Sequence, residues 1–317
     1  MKAIKRIRSL IKGWKQNFDR RHKAITKFYR KEYGHFSTVY YRDCVRWKIL
    51  KTSPVKETED RTCELHALTS TNDFINLIWG LKSFYYFSRR QYALCIHTDP
   101  SVTEDQKQLL EQHFPNARIL DRQKSDEHIR NCLSNHPKCL NLRCKHPLAP
   151  KLFDFKFFAR SNRIVLFDSD LLFFDFPAQL VKILDDQAYS QNCVNRDNGN
   201  FYTVDAEEVQ EHLGFELVPK FNSGLGLIHS ESINIDSIEK FLNLPRIASH
   251  FRRMEQTLFA LCSSYYGTRF LPSEYNIRLE PGIEGLPSRH YVTEIRYLMY
   301  CEGIKNLHQR KFLQSIA

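Results

Sequence analysis

The sequence predicts an α/β protein: a mixed, mainly parallel Rossmann-like sheet flanked by helices, preceded by a basic helical N-terminal arm. Three observations predict it. From Cys63 onward, apolar β-type runs alternate with helical patterns, as in parallel sheets with crossover helices. The run Arg163-Ile164-Val165-Leu166-Phe167 reads as a buried strand ending in Asp168-Ser169-Asp170, the end of a strand where α/β proteins gather ligands. Residues 1–32 hold twelve of the 47 Lys and Arg against only Asp19 and Glu32, so this segment carries +10 of a net charge of +11.

The arm comes first. Ile4, Ile7, Leu10, Ile11, Trp14 and Phe18 recur at helical spacing among its basic residues. A basic amphipathic helix of this kind suits an anionic membrane surface through residues 1–32; docking on the protein's own core or on a partner groove competes with it. Nucleic acid is not expected as a partner, because the body shows no second basic patch with interleaved aromatics. The polar, Pro-containing stretch Thr52–Asp60 reads as a linker, which divides the chain into an arm and linker over 1–60 and a catalytic body over 61–317. No run of ~18 apolar residues predicts a transmembrane helix. Basic residues interrupt any signal-peptide core, so the expected location is cytoplasmic, peripheral on the inner face of a membrane.

In the body, Cys63–Thr69 reads as a strand, and Thr71-Asn72-Asp73 caps a helix carrying Phe74, Leu77, Ile78, Leu81, Phe84 and Tyr85. Tyr92–His97 is a second strand. Thr103 and Gln106 form a capping box for a helix over Thr103–Phe114, and Ala117–Leu120 is a third strand. Leu148–Ala159 is read as a helix before the Asp168 strand. Beyond Pro177 the reading gives a helix over Ala178–Leu184, an irregular polar stretch over Asn192–Asn200, and a helix over Asp205–Leu213. It closes with a strand over Leu225–His229, a buried helix over Met254–Tyr265 and a helix over Glu294–Glu302 ending at Gly303 as its C′ residue.

Apolar content of 42% and charged content of 26% are those of an ordinary folded protein. The nine cysteines are scattered and odd in number, which fits reduced core residues. His136, Cys139, Cys144 and His146 are clustered enough to hold Zn²⁺ as a loop clip, but their spacing matches no common zinc module, and Pro137, Asn141 and Pro147 fit a plain polar loop.

The chemistry centres on Asp168 and Asp170. An Asp-x-Asp can be a plain turn, but two carboxylates between apolar runs are costly without a cation or several donors. Two hard oxygen ligands suit Mn²⁺ or Mg²⁺, which in turn holds a diphosphate; a nucleotide-sugar is the simplest such ligand.

Together with this strand, three further stretches resemble nucleotide-diphospho-sugar transferases of the GT-A fold, closest in pattern to glycosyltransferase family 8 and its bacterial relatives. Leu68-Thr69-Ser70-Thr71-Asn72-Asp73 looks like the first nucleotide-contacting loop, and Phe221-Asn222-Ser223-Gly224 is similar to the family's acceptor-side strand. Glu255-Gln256 opens a helix as an acidic residue–Gln pair does there. His290, followed six residues later by Arg296, resembles the family's C-terminal metal-binding His and phosphate-binding Lys. Thr293 stands in place of a Gly, and Tyr297-Leu298 in place of Pro-Trp. The resemblance spans roughly residues 62–305.

It implies a GT-A glycosyltransferase of the hexosyl type, moving a sugar from a nucleotide-sugar donor, UDP by analogy, to an acceptor that the membrane-seeking arm, by its location, suggests is a surface glycan or lipid-linked. Asp168, Asp170 and His290 would hold the metal. Asn72, Asp73, Lys151, Arg163, Asp168, Ser169 and Arg296 would serve the donor, and Asn222, Ser223 and Gly224 the acceptor or sugar side. Gln256, Glu255 and Asp170 would be catalytic. Retention places Gln256 near the anomeric carbon; inversion would make Glu255 the base. Two rivals stand beside this reading. One is a haloacid-dehalogenase-type phosphatase, although Leu172 occupies the place of the expected Thr or Val and Asp185-Asp186 comes too soon after the motif to be its further acidic pair. The other is a non-enzymatic membrane-surface or interaction module led by the arm.

Overall fold

The computed structural model describes residues 35–55 and 60–317. Its main sheet contains β1 (Asp60–Thr69), β2 (Tyr92–Thr98), β3 (Arg118–Asp121), β4 (Arg163–Phe167), β6 (Asn192–Arg196), β7 (Phe221–His229) and β8 (Thr268–Phe270), in the spatial order β3-β2-β1-β4-β7-β6-β8. The first four strands of that order are mutually parallel, while β7 runs antiparallel to both β4 and β6. A separate two-stranded ribbon pairs β5 (Leu171–Phe173) with β9 (Ser288–His290). This is the mixed, mainly parallel sheet that the alternation of elements predicts.

Strand β4 explains why the central run contains no polar alternation. Val165 and Phe167 enter one apolar cluster with Trp79, Phe84 and Phe173, while Ile164 and Leu166 enter the other with Phe153, Phe155 and Phe259. A strand covered on both faces has no solvent side to mark. The covering helices include α1 (Phe74–Ser88), α2 (Glu104–His113) and α3 (Arg122–Cys132). They continue with α4 (Pro137–Lys145), α5 (Ala149–Phe158), α6 (Ala178–Asp185), α7 (Ala206–Leu213), α8 (Ile235–Phe241) and α9 (Met254–Tyr266). The Thr103–Gln106 capping box is present in both directions. Helix α1 starts after Asp73 as read, but the Asp73 carboxylate makes no cap bond and is left available to other partners.

Three expectations are corrected. Asn192–Asn200 is not irregular throughout: its first half is β6, an interior strand whose polar Asn192 is satisfied by bonding Ser263 Oγ and the backbone N–H of His229. Gly303 does not end a helix. Helical backbone runs from Arg296 through Gln309 with a wide turn over Met299–Ile304, and Gly303 lies inside it. A Cβ there would meet Leu172 Cδ1 and Tyr291 Oη at 2.6 Å, so close packing, not termination, demands glycine. The strand read as Leu225–His229 begins at Phe221, which carries Asn222 and Ser223 into the sheet.

Residues 35–51 are helical, and Val45 and Ile49 are fully buried in the core cluster of Trp79 and Phe84. The amphipathic pattern over 1–32 lies outside the described residues. Among the described residues no helix is long and apolar enough to cross a membrane.

Candidate active site

The topology sets one cleft across the strand ends. Strands β2, β1, β4 and β6 point their C-termini to the same edge of the sheet, and antiparallel β7 starts there. Asp99 after β2, Thr69 at the end of β1, Asp168 after β4, Asn222 on β7 and Asp197 after β6 therefore line up along that edge. They line a cleft of about 1090 Å³, roomy enough for a ligand larger than a simple sugar.

At its centre the ligating atoms of Asp168, Asp170 and His290 lie within 4.8 Å of one another. Two devices bring these distant residues together. The ribbon places Leu171 opposite His290, and the Tyr291 N–H donates to the Asp170 carbonyl at 2.9 Å. Strand β7 contributes the second device: a Cβ on Gly224 would fall 2.1 Å from His290 Cε1, so only glycine leaves room for the ring. Two carboxylates and an imidazole form the hard and borderline donor set of Mn²⁺ or Mg²⁺, and the backbone is shaped to seat the third ligand. The residues fit a divalent ion.

The charges are balanced from within. His290 Nε2 lies 2.9 Å from Asp170 Oδ1 and 3.7 Å from Asp168 Oδ2. Arg296 bridges Asp73 Oδ1 (2.7 Å) and Asp170 Oδ2 (2.5 Å) with its two terminal nitrogens. Lys151, buried on α5, donates to Asp168 Oδ1 at 2.8 Å and to the Ser223 carbonyl at 3.0 Å, and faces Glu255 at 3.3 Å. Burial disfavours the Asp170 carboxylate, yet His290 and Arg296 outweigh it and hold its pKa far below the usual range. Burial likewise opposes the Lys151 charge, and Asp168 with Glu255 raises its pKa regardless. Glu255 itself is pushed up, by burial first. The result is a fixed array of charges suited to grip a polyanion.

On the β7 and β6 side, Asp197 accepts from Asn222 Nδ2 at 2.9 Å and from Gln256 Nε2 at 3.4 Å. Asn222 Oδ1 in turn accepts from the Gly224 N–H at 2.9 Å. The structure thus brings Asp73, Lys151, Asp168, Ser169, Asp170, Asn222, Ser223, Glu255, Gln256, His290 and Arg296 to one cleft, with Gly224 beneath His290.

Arg163 is not brought there. It begins β4, at the opposite edge of the sheet, and its guanidinium donates to the carbonyls of Ile183, Leu184 and Tyr189. Asn72 is exposed and outside the cleft, one residue out of phase with Asp73. The zinc cluster does not assemble either. His136 pairs with Asp236 at 2.7 Å, His146 Nε2 meets the Phe251 carbonyl at 2.7 Å, Cys139 is buried and Cys144 exposed. Asp185, of the acidic pair that follows the motif too soon for the phosphatase rival, accepts from Tyr92 and Arg90 at the edge of the sheet away from the cleft.

Asp197 escaped the sequence reading because it follows a strand whose asparagines masked it. Its one signal is the same as that of Asp168: an acid just past a buried run. Among the described residues a second cluster, His66, Cys95 and His97, also converges, on adjacent strands inside the core. There His66 Nε2 meets Glu64 at 3.1 Å and His66 Nδ1 meets His97 Nε2 at 3.1 Å. Burial lowers both imidazoles and pushes the Cys95 thiol up to about 12, which makes this a neutral hydrogen-bonded chain.

No protein-family profile and no curated protein sequence matches the chain. Solved structures do. An active-site mutant of LgtC aligns over 78% of this chain and 95% of its own, at 15% identity and a TM-score of 0.52. The galactosyltransferase LgtC in complex with donor and acceptor sugar analogs aligns over 80% and 96%, at 14% identity and a TM-score of 0.50. The bifunctional glycosyltransferase WbbM aligns over 83% of this chain and 53% of its own, at 11% identity and a TM-score of 0.50. The chain shares the GT-A fold with these glycosyltransferases.

Proposed function

We propose that this protein is a metal-dependent glycosyltransferase that moves a sugar, of the hexosyl type, from a nucleotide-diphospho-sugar, with UDP as the nucleotide, to a hydroxyl of a glycan or lipid-linked acceptor. The observation that carries this reading is the convergence of Asp168, Asp170 and His290 over Gly224, at the sheet edge where the fold gathers ligands. These three residues would hold Mn²⁺ or Mg²⁺, which when bound supplies positive charge to the departing diphosphate.

The chain's own groups do the rest. Arg296 and Lys151 offer fixed positive charge to the phosphates, and Arg296 presents its nitrogens as a fork. The β1 and β2 side, with Thr69, Ser70 and Asp99, receives the nucleoside. The β7 and β6 side, with Asn222, Ser223 and Gln256, receives the sugar. In the transfer, the bond from C1 to the diphosphate oxygen breaks and its electron pair stays on the diphosphate. The acceptor oxygen bonds C1 and its proton passes to the departing oxygen. Glu255 is buried against Lys151 and Ser223, which disfavours it as an inverting base. Gln256, oriented by Asp197, would then lie beside the anomeric carbon in a retaining transfer.

The arm over 1–32 completes the proposal as an anchor on an anionic membrane surface, giving a cytoplasmic, peripheral enzyme with its catalytic body over 61–317. Flotation with phosphatidylglycerol vesicles, lost on charge reversal within 1–32, tests that part. The donor site is tested by thermal unfolding with UDP, GDP, CMP or dTDP, each with Mn²⁺ or EDTA. A Mn²⁺-dependent rise with UDP, absent in Asp170→Ala, supports the proposal by mass action. No rise with any nucleotide refutes it.

A further inference from the structure

Beyond the centre, the β6 flank of the cleft has a chemistry of its own. Its outer wall is formed by Phe201 and by the short helical turn Phe251–Arg253 that leads into α9, with His250 just before it. Phe201 is 37% exposed and Phe251 49%, so two flat apolar faces open onto the cleft. His250, Arg252 and Arg253 are all exposed beside them. Arg253 lies over the Phe201 ring at 5.3 Å, and among the described residues neither Arg252 nor Arg253 has an acidic partner. Nearby Arg246, by contrast, is paired with Asp205 at 2.6 Å.

This positive group is not part of a general background, because residues 33–317 hold 35 Lys and Arg against 34 Asp and Glu. Among the described residues no acid of the cleft is paired with either guanidinium. Asp73, Asp168, Asp170 and Glu255 are paired with Arg296, Lys151 and His290, Asp197 accepts from Asn222 and Gln256, and Asp99 and Glu294 line the cleft outside these pairs. Two unpaired guanidinium forks next to exposed rings suit a ring-shaped ligand that bears a carboxylate or phosphate. They stand across β4 from the flank assigned to the nucleoside.

We infer that the acceptor is an anionic glycan, whose charged group is held by Arg252 and Arg253 while its sugar ring lies on Phe201 and Phe251. The inference rests on the donor reading only for the name acceptor; the anion-binding platform is a property of the β6 flank. Three matched sugars test it: glucose, glucuronic acid and glucose 6-phosphate, titrated by ligand-observed NMR with the full chain in UDP and Mn²⁺. One charged sugar is expected to bind at least about tenfold tighter than glucose, in keeping with charge-assisted bidentate bonds. Which one it is identifies carboxylate or phosphate as the recognised group. The preference should vanish in the double variant Arg252→Gln, Arg253→Gln, which keeps the Mn²⁺- and UDP-dependent melting rise. Equal binding of the three sugars, no binding of any, or a preference that survives in the double variant overturns the inference. A wild-type chain with no UDP-dependent rise overturns the donor reading instead, and the two failures are read from different signals.

Discussion

Gly224 offers a quantitative test of how the centre of Asp168, Asp170 and His290 is built. In Gly224→Ala the new Cβ would lie 2.1 Å from His290 Cε1 and 2.7 Å from Nδ1. Ordinary carbon–carbon contact is about 3.5–4.0 Å, so the ring has to retreat by roughly 1.5 Å. Metal–ligand distances tolerate only about 0.2 Å, so the imidazole is lost as a ligand. Overpacking of this kind costs about 1–3 kcal/mol. The test is a cycle of Gly224→Ala, His290→Ala and the double variant, followed by urea unfolding and by the Mn²⁺-dependent melting rise with UDP. With the ring removed, the alanine has little left to strike; the nearest atom after the imidazole is Asn222 Oδ1 at 3.0 Å. The stability penalty of Gly224→Ala should therefore shrink to within about 0.5 kcal/mol in the His290→Ala background, a clear departure from additivity. Both single variants should lose the Mn²⁺-dependent rise to the same degree. Additive penalties, or an alanine variant that keeps the full rise, would refute the seating of His290 on Gly224.

Three further outcomes are expected. Arg296→Lys replaces a fork that spans Asp73 and Asp170 by a single nitrogen, so UDP should bind roughly tenfold more weakly in calorimetry while the chain stays folded. Glu64 is buried, which by itself would raise its pKa, but bonds from His66, the Arg160 N–H and Arg118 hold it down at about 2 against an ordinary 4.5. Its contribution to stability is then complete above about pH 4.5 and is lost as pH falls toward 2; Glu64→Gln should remove that slope from acid-unfolding curves. Gly303→Ala, with Leu172 Cδ1 and Tyr291 Oη at 2.6 Å from the new Cβ, should lower the unfolding free energy by about 1–3 kcal/mol in urea titration.

Much of the fold was legible because burial on both faces leaves a plain apolar signature, as in Arg163–Phe167, and because caps such as Thr103–Gln106 are local. The grouping of Asp168, Asp170 and His290 was legible through order along the chain, which a resemblance supplied; spacing alone does not bring His290 to Asp170. What stayed hidden depends on the third dimension. Arg163 sits four residues before the end of its strand, and a strand's two ends lie on opposite edges of the sheet, so adjacency to the motif misled. Asn72 and Asp73 are neighbours in sequence, but only Asp73 turns toward Arg296. Strand β6 was missed because it buries polar residues, and Asn192 finds its partners, Ser263 and His229, far along the chain. The wall formed by Phe201 and Phe251–Arg253 carries no local mark, since its members become neighbours only when the chain following β6 meets the turn before α9.

The ribbon that pairs Leu171–Phe173 with Ser288–His290 has a consequence for how such a protein can diversify. Side chains in a strand alternate sides, so a slip of one residue would turn His290 away from Asp170; the register permits no intermediate setting. More than a hundred residues separate the two halves of the ribbon, and they contain the cleft wall formed by Phe201 and Phe251–Arg253. Loops in that interval can grow, shrink or change charge while the clasp at their two ends stays closed. What such loops must leave untouched is Gly224, Ser223 and Glu255, which lie in the same interval and support His290 and Lys151.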